Sequence, residues 1–363
     1  MSLWRFADLL PAPAAEFRLS LGEGNTPLVK SQRLGPSAGL PNLYYKLETA
    51  NPTNSDKDRF AAVAVSLMRA AGKRRCVAMS SGNAGSALAA YCTAAGIRCE
   101  IAIVEGAPQG KLQQMLAYGA DLIRIQGFGL DPAITARCIQ LLRELGNTPD
   151  AAMKITAYAY SPLGMTGVQT IAYEIAEQAE PLPQHVFCQA GGGGLTLAVA
   201  RGFAQLVSLG KISQSPSIQC VQPAGNNTMA GPLREGLDRG REVQCTSTVS
   251  GLQVPTIIDA HEVIHACRDT GGTGHLVTDE QVWAVQRRLA REDGIFCEPS
   301  AAVSVAGALQ AREQGLIDGD APVVCLITGS GFKDPASIER LNSDVSCPLI
   351  TVDDLAARVS KKN

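Results

Sequence analysis

Lys57 is a candidate nucleophile, and it lies in the segment NPTNSDKDRF at residues 51–60. Asn-Pro opens a turn, and the small polar residues that follow can cap a helix that continues through AAVAVSLMRAA. Lys57 is then predicted in the first turn of that helix, where a cation does not complement the helix dipole. The lysine is either a solvated side chain between Asp56 and Asp58 or an amine placed to attack an aldehyde.

A second polar segment, SSGNAG at residues 80–85, separates an apolar run from a helical pattern. Small residues there let backbone N–H groups point toward an anion, and the start of a helix favours negative charge. Asn83 is the informative residue, because its amide can hydrogen-bond a ring oxygen or a carboxylate. The alternative is an ordinary helix cap.

Four consecutive glycines, Gly191, Gly192, Gly193 and Gly194, form a segment that we call the glycine turn. Each glycine costs backbone entropy, so packing alone does not explain the run, whereas close approach of the backbone to a phosphate does. No Gly-Lys-Ser/Thr follows, as a P-loop requires, and no acidic residue ends the next strand, as a dinucleotide fingerprint requires. The glycine turn therefore predicts a phosphate site of another kind.

A fourth candidate segment is LITGSGFKDP at residues 326–335, where a strand ends in a small polar cluster that contains Thr328 and Ser330. A hydroxyl group at the carboxyl end of a strand can hydrogen-bond a ring nitrogen. The alternative is an ordinary turn.

The elements that carry these segments alternate between short apolar runs and longer amphipathic runs, which is typical of an α/β fold with parallel sheets. Strands are predicted at 75–80, 97–104, 121–126, 185–190, 217–222 and 323–329. Two separate strand–glycine–helix units, at 76–95 and 185–207, indicate two sheets. The stretch 144–165 is a candidate crossing between domains.

The composition is that of a globular protein: 363 residues, 45% hydrophobic and 18% charged, with a formal net charge of -2. This charge and the low aromatic content predict neither a nucleic-acid partner nor a membrane partner. The opening MSLWRFADLLPAPAAEF lacks the apolar stretch of a signal peptide. None of the 11 cysteines forms a C-x-x-C pair, so we expect no metal site and reduced thiols in the cytoplasm.

Together and in this order, the segments resemble the fold-type-II pyridoxal-phosphate enzymes, and threonine synthases in particular. The collinear resemblance covers nearly the whole chain and rests on LGEGNTPLV, KLETANPTNSDKDR, SSGNAG, KLQQMLAYGADLI, GGGGL, VTDEQVWAVQRRLAREDGIFCEPSAA and TGSGFKDP. It implies an α/β fold of two domains, each with a largely parallel sheet flanked by helices, and an active site between them. It also implies a homodimer.

The expected organisation has an N-terminal extension at 1–18 and a C-terminal tail at 348–363. Residues 19–65 and 155–347 are expected to form the larger, cofactor-binding domain. Residues 66–154 are expected to form a smaller, movable domain.

The resemblance implies pyridoxal 5'-phosphate as the cofactor and a small amino acid as the substrate. Lys57 would form the Schiff base with the cofactor aldehyde, and Asn83 would lie beside the ring hydroxyl. The glycine turn and Leu195 would hold the phosphate, Thr328 would face the pyridine nitrogen, and Glu298 would lie near the ring. The residues implied for the substrate carboxylate are Ser80, Ser81, Gly82, Asn83 and Ala84.

Some positions depart from the family pattern. The lysine motif of the family usually reads Ser-Phe-Lys-Asp-Arg, and Asp56 replaces the aromatic residue. This carboxylate either stabilises the charged form of Lys57 or points to solvent. SSGNAG also stands where threonine synthases tend to carry Ser-Thr-Gly-Asn-Thr, so one threonine hydroxyl is missing.

A sharper departure lies in AYAYSPLGMTGVQT at residues 157–170. Threonine synthases bind the phosphate of O-phosphohomoserine there with an Asn-Ser pair and an arginine. Tyr158 and Ala159 replace the pair and Gly164 replaces the arginine, which removes donors and a positive charge. A phosphorylated substrate would then need another cation, such as Arg59 or Lys333.

The sequence therefore predicts a threonine synthase-like lyase that eliminates or replaces a substituent at the β- or γ-carbon of a small L-amino acid, through an unsaturated aldimine intermediate. One alternative is a genuine threonine synthase that uses O-phosphohomoserine and water. Others are a serine/threonine deaminase, a cysteine synthase-like β-replacing enzyme and a non-catalytic protein that binds pyridoxal phosphate. A nucleotide-binding dehydrogenase would leave the missing acidic residue unexplained.

Overall fold

The computed structural model describes residues 2–107 and 109–360, and it has the predicted α/β architecture. The strands are β1 (Leu28–Lys30), β2 (Leu43–Leu47), β3 (Arg75–Met79), β4 (Arg98–Ile103), β5 (Asp121–Arg124), β6 (Ala151–Lys154), β7 (His185–Gln189), β8 (Ser217–Pro223), β9 (Gly274–Val277) and β10 (Val323–Ile327). The helices are α1 (Leu34–Ser37), α2 (Lys57–Ala70), α3 (Asn83–Ala94), α4 (Gln109–Ala117), α5 (Pro132–Gly146), α6 (Pro162–Gln178), α7 (Gly194–Ser208), α8 (Ala230–Arg234), α9 (Ala260–Asp269), α10 (Asp279–Glu292), α11 (Pro299–Glu313), α12 (Pro335–Leu341) and α13 (Val352–Ser360).

The larger sheet has the strand order β1-β2-β10-β7-β8-β9. All neighbours are parallel except β1 and β2, which pair antiparallel at one edge. The central strands are continuous apolar runs, as expected for parallel strands that are covered on both faces.

Alternate residues of the central strands enter two different cores. In β7, Val186 and Cys188 join the core that contains α2, α6 and α7, whereas Phe187 joins the core that contains α10 and α11. In β10, Leu326 and Cys325 divide in the same way. Helices therefore cover both faces of the sheet and leave the ends of the strands open, where a site can form.

The smaller sheet has the order β5-β4-β3-β6, with every pair parallel. Its strand β6 lies inside the stretch 144–165, which the sequence predicts only as a crossing between domains. Helix α3 packs between this sheet and α2. The first core is continuous from Ile101 of the smaller sheet to Val186 of the larger one, so the two sheets share packed helices.

Helix α2 links the two parts of the fold because it packs on both α3 and α6. The boundary expected between residues 65 and 66 lies inside this continuous helix. The domain limits stay a prediction, since the helix belongs to both packed units.

The expected N-terminal extension packs on the body of the protein. It contains two short 3-10 helices, Leu3–Leu9 and Ala15–Phe17, and the ring of Phe6 lies edge-on to that of Tyr173 in α6 at 5.3 Å. The expected C-terminal tail carries α13 at Val352–Ser360, and its last three residues lie outside the described part of the chain. None of the described helices has the length and apolar character that a membrane crossing requires.

Candidate active site

Lys57 is the first residue of α2, and 26% of its side chain is exposed. Its Nζ lies 2.6 Å from Oδ2 of Asp56, whose carboxylate is buried. Burial raises the pKa of Asp56, and the charge of Lys57 acts in the opposite direction. Of the two placements considered for Asp56, the structure has the one against Lys57, and the carboxylate does not face solvent.

Thr328 connects the segment that carries Lys57 to the glycine turn. Its carbonyl oxygen accepts a hydrogen bond from the backbone N–H of Asp56 at 2.9 Å. Its Oγ1 accepts a hydrogen bond from Nε2 of Gln189 at 2.6 Å. Gln189 is the last residue of β7, just before the glycine turn, so Thr328 brings both segments to the same end of the larger sheet.

The glycine turn joins β7 to α7, and its last glycine is the first residue of that helix. Gly193 has a φ of 99°, in the left-handed region that favours glycine. A Cβ atom at Gly193 would lie 2.8 Å from Cγ2 of Val263, and one at Gly192 would lie 3.2 Å from Cδ1 of Ile258. Leu195 follows, half-buried in the first turn of α7. A helix start whose backbone N–H groups carry no side chains of their own is suited to a phosphate.

Asn83 and Glu298 form a hydrogen bond between the two sheet units. Asn83 begins α3, and its Nδ2 donates to Oε1 of Glu298 at 2.8 Å. Glu298 precedes α11, and its backbone N–H donates to the carbonyl oxygen of Gly329 at 3.0 Å, next to Thr328. Burial raises the pKa of the Glu298 carboxyl. Asn83 and Glu298, both predicted from the sequence, therefore lie at the same end of the larger sheet as Thr328.

The segment predicted to bind the substrate carboxylate is half-buried beside a narrow cleft. Oγ of Ser80 accepts hydrogen bonds from the N–H groups of Gly82 at 3.2 Å and Gly85 at 3.1 Å. This hydroxyl oxygen closes its own turn and takes the N–H of Gly85, which leaves the N–H groups of Asn83 and Ala84 at the start of α3 for an anion. The cleft is lined by Gly82, Asn83, Ser86, Gly110, Gln114, Phe332 and Lys333. Ser81 and Ala84 are half-buried in the same segment.

The residues present fit the cofactor that the family resemblance implies. Three buried polar atoms near Thr328, namely Ser55 Oγ, Asp56 Oδ1 and Gln189 Oε1, have no hydrogen-bond partner in the described chain. Such buried atoms normally have a partner, which a bound polar molecule supplies. With a partly exposed lysine amine and the glycine turn at the same end of the sheet, this donor set suits an aldehyde-bearing ring with a phosphate.

Arg59 is not available as a substrate-binding cation, contrary to one possibility raised from the sequence. It is fully buried, with Nε 2.6 Å from Oε2 of Glu48 and Nη2 2.7 Å from Oε2 of Glu174. Nζ of Lys46 contacts the same oxygen of Glu174 at 2.7 Å. Burial opposes the charged form of Arg59, but the two carboxylates prevail and raise its pKa. These four residues form a buried charge cluster with no net charge.

Two backbone donors are occupied in the segment that departs from the phosphate-binding pattern. The backbone N–H groups of Tyr158 and Ala159 donate to Oδ2 and Oδ1 of Asp259, at 2.8 and 3.0 Å. Asp259 is buried, and its own N–H donates to the carbonyl oxygen of Gly192 at 3.0 Å. A carboxylate of the protein therefore takes these donors, beside the glycine turn.

Gly164, which stands at the arginine position of threonine synthases, packs against α2. A Cβ atom there would lie 2.9 Å from Cε2 of Phe60 and 3.1 Å from Cβ of Ala64. An arginine does not fit between the two helices in this packing.

Sequence reasoning missed Gln189, Asp259 and the carboxylates of the buried charge cluster. Gln189 carried a usable signal, because it is a polar residue at the end of the apolar strand HVFCQ. Glu174 interrupts the apolar run IAYEIA, where a buried acid normally has a partner, whereas Glu48 in KLETAN carried no such signal. Asp259 had no such signal, since only the folded chain brings it to the glycine turn.

Comparisons with known proteins agree with this geometry. The family model described as "Pyridoxal-phosphate dependent enzyme" matches residues 19–329. The threonine synthase of Methanocaldococcus jannaschii is 31% identical over 350 residues, which are 95% of this chain and 84% of that protein. The threonine synthase of Methanosarcina acetivorans is 32% identical over 340 residues, covering 93% and 81% of the two chains.

Two solved structures show the same fold. The processed form of threonine deaminase isoform 2 from Solanum lycopersicum superposes with a TM-score of 0.75 at 23% identity, over 95% of this chain and 94% of that one. An L-serine ammonia-lyase from Rhizomucor miehei has a TM-score of 0.73 at 18% identity, over 89% and 99%. The predicted fold class, cofactor and threonine synthase-like lyase class are confirmed. The chain thus belongs to the family of pyridoxal-phosphate-dependent enzymes, with threonine synthases among its relatives.

Proposed function

We propose that this protein eliminates or replaces a substituent at the β- or γ-carbon of a small L-amino acid that carries no phosphate group. The occupied donors of Tyr158 and Ala159, both hydrogen-bonded to Asp259, are the observation that carries the choice of substrate. The cofactor class rests on the family to which the chain belongs.

In this proposal, Lys57 holds the cofactor through Nζ, and the glycine turn with Leu195 holds its phosphate through backbone N–H groups. Thr328 faces the ring nitrogen, Asn83 the ring hydroxyl, and Glu298 lies close to the ring. Bound pyridoxal phosphate supplies an electron sink for the electron pair left at the substrate α-carbon.

The protein's own part in the reaction is to move a proton and to exclude water. Lys57 Nζ takes the α-proton of the substrate as a general base. Asp56, 2.6 Å from that nitrogen, stabilises it while it is charged. The Asn83–Glu298 hydrogen bond helps to hold the cleft closed, which keeps water from reactive groups.

The substrate carboxylate is assigned to the segment from Ser80 to Ala84. A helix start favours a negative charge, and the N–H groups of the first turn of α3 lack partners within the helix. Ser80 braces the turn through its two accepted hydrogen bonds, so its role is to shape the site.

An unphosphorylated substrate is supported by charge as well as by hydrogen bonds. The guanidinium of Arg59 is paired with the carboxylates of Glu48 and Glu174. Asp259 places a carboxylate against the N–H groups of Tyr158 and Ala159, where the phosphate of a substrate would meet repulsion. Lys333 is a cation that lines the cleft, and burial lowers its pKa.

The test is a substrate panel with the purified holoenzyme: L-serine, L-threonine, an O-acylated serine and O-phospho-L-homoserine. We expect a shift in cofactor absorption and a 2-oxo acid or an adduct from one of the first three. Phosphate release from O-phospho-L-homoserine, with the highest kcat/KM of the panel, would overturn the proposal in favour of a genuine threonine synthase.

A Lys333→Gln variant separates the two functions further. If a phosphorylated substrate relied on this cation of the cleft, the variant would raise KM for it by about tenfold or more, as for a lost charge-assisted contact. On our proposal, KM for the preferred substrate, whose side chain is uncharged, changes less than about threefold. That is roughly the size of effect expected for a surface substitution.

We also propose that the protein is a cytoplasmic homodimer. The dimer follows from the family resemblance, and the free thiols of all eleven cysteines support a reducing compartment. Sedimentation equilibrium of the holoenzyme tests the dimer, and cell fractionation tests the compartment.

A further inference from the structure

Three cysteines meet in the smaller sheet unit, away from the candidate active site. Cys76 in β3 and Cys99 in β4 are aligned partners on neighbouring parallel strands. Cys92 lies on α3, which packs over both strands. The three sulfur atoms lie within 4.8 Å of one another, and all three side chains are buried. We call Cys76, Cys92 and Cys99 the thiol cluster.

The spacing suits one shared ion. Thiolate sulfur binds Zn²⁺ at about 2.3 Å, so three sulfurs in a plane around an ion of that size stand about 4.0 Å apart, and farther apart around a larger ion. A closing shift of less than an ångström or so per side chain converts the present spacing into that arrangement. No helix or strand has to move by a register step.

The surroundings suit the charge of a metal–thiolate group. Lys154 in β6 lies on the strand next to β3, and its charge acts on both Cys76 and Cys92. Glu100, the acid that acts on Cys76, is already paired with Arg75 at 2.9 Å. A divalent ion with three thiolates carries one negative charge, which the Lys154 ammonium can balance.

We propose that the thiol cluster is a binding site for a soft, thiophilic divalent cation such as Cd²⁺, held by three thiolates. No fourth His, Cys, Asp or Glu ligand joins the cluster within the described residues, whereas structural zinc takes four. Soft thiolate ligands favour thiophilic ions. Each thiol releases one proton to solvent as its sulfur binds, so three protons leave per ion and no atom changes oxidation state.

This site would not be found from spacing in the sequence, because the three cysteines lie on three different elements. No two of them form a C-x-x-C pair. We expected no metal site because that pattern is absent. The fold, however, brings together three cysteines that are far apart in the sequence.

The experiment is an anaerobic Cd²⁺ titration of the holoenzyme in a Cys347→Ser background, since the Cys347 thiol is exposed. Thiolate-to-metal charge transfer in the ultraviolet reports binding. We expect saturation at one ion per chain, with about three protons released in weakly buffered solution. Cofactor absorption reports whether the enzyme stays folded.

Variants assign the signal to the thiol cluster. Cys92→Ser and Cys92→Ala should each weaken Cd²⁺ binding by about tenfold or more. Cys188→Ser is the matched control, because Cys188 is equally buried and faces Cys220 on a neighbouring parallel strand of the larger sheet. Absent binding in the folded parent, or binding that survives both changes at Cys92, would refute the site.

Discussion

The amine of Lys57 and the carboxylate of Asp56 are 2.6 Å apart, and Asp56 uses only one of its two oxygens in this contact. The pair sits where the family pattern has an aromatic residue before the lysine. A buried acid beside the candidate catalytic amine makes the protonation of Asp56 part of the chemistry of this site.

Asp56→Asn tests that relationship. Burial raises the pKa of Asp56, so activity in the wild type should fall at low pH as the carboxylate takes up a proton and the ion pair is lost. The amide cannot titrate, so we expect the acid limb of the kcat/KM profile to disappear. We expect kcat at neutral pH to fall about 10- to 100-fold.

Asp56→Glu is the matched control, since it keeps the charge and should keep an acid limb. Cofactor absorption, measured across the same pH range, shows whether both variants still bind the cofactor. Superimposable profiles for wild type and Asp56→Asn would show that Asp56 does not act on Lys57.

Gly193→Ala should weaken cofactor binding. Gly193 has a φ of 99°, and a Cβ there meets Val263 at 2.8 Å. Left-handed backbone costs about 1–2 kcal/mol for a residue with a Cβ, and the clash distorts the phosphate site. We expect at least about a tenfold rise in the dissociation constant for pyridoxal phosphate, since 1.4 kcal/mol is tenfold.

Gly210→Ala is the control for strain alone. Gly210 has a φ of 66°, and a Cβ atom at this position would have no described atom within 4 Å. The cofactor affinity of this variant should equal that of the wild type. Equal affinities for both glycine variants would remove the phosphate role of Gly193.

Arg59→Lys should unfold the protein readily, because the buried charge cluster depends on the forked guanidinium. Lysine cannot reach Glu48 and Glu174 with the same geometry. We expect a loss of about 3–5 kcal/mol in the free energy of unfolding, measured by urea titration. Arg291→Lys, at an exposed ion pair with Asp344, should cost under about 1 kcal/mol.

One result of the Arg59→Lys experiment would indicate that Arg59 binds the substrate. If Arg59→Lys kept its stability but raised KM for O-phospho-L-homoserine, the guanidinium would have to leave the cluster during turnover.

His275 makes the fold sensitive to acid. Burial lowers the pKa of His275 to about 4 from its ordinary 6.5. Between these values the unfolded chain binds more protons than the folded one, so stability falls as the pH drops through this window. One pKa unit is 1.36 kcal/mol, so the loss reaches about 3 kcal/mol near pH 4.

His275→Gln removes this titration and keeps a donor for Oε1 of Gln219, which the imidazole contacts at 2.9 Å. Urea unfolding at pH 7 and pH 4.5 should show a smaller acid loss in this variant than in the wild type. His265→Gln, at an exposed position, should behave as the wild type does. An identical acid loss in wild type and His275→Gln would show that His275 does not titrate as its burial implies.

The larger part of the fold was predictable because its strands carry their own signal. The apolar runs at 185–190, 217–222 and 323–329 correspond to β7, β8 and β10. Strand β1 was not visible, since Val29 is exposed at the edge of the sheet. Strand β2 contains Lys46, whose charge is accommodated by contacts with Glu174 and Gln178 of α6 and with the carbonyl oxygen of Thr26.

The candidate site was predictable to the extent that each motif lies within one local segment. Lys57, Asn83, Thr328 and the glycine turn were all named from strand ends and helix starts, and the fold brings them together. Their role in binding the cofactor stays a prediction. The partners that arrange them come from distant parts of the chain, and no local pattern connects Asp259 with the N–H of Tyr158.

The close packing of α6 on α2 limits how this enzyme can change its substrate. Gly164 touches Phe60 on the helix that begins at Lys57. A mutation that introduces arginine at 164 would push on that helix and displace the lysine along with it. A phosphorylated substrate that needs an arginine at position 164 would therefore require compensating changes on both helices, so a single substitution there does not produce a working phosphate site.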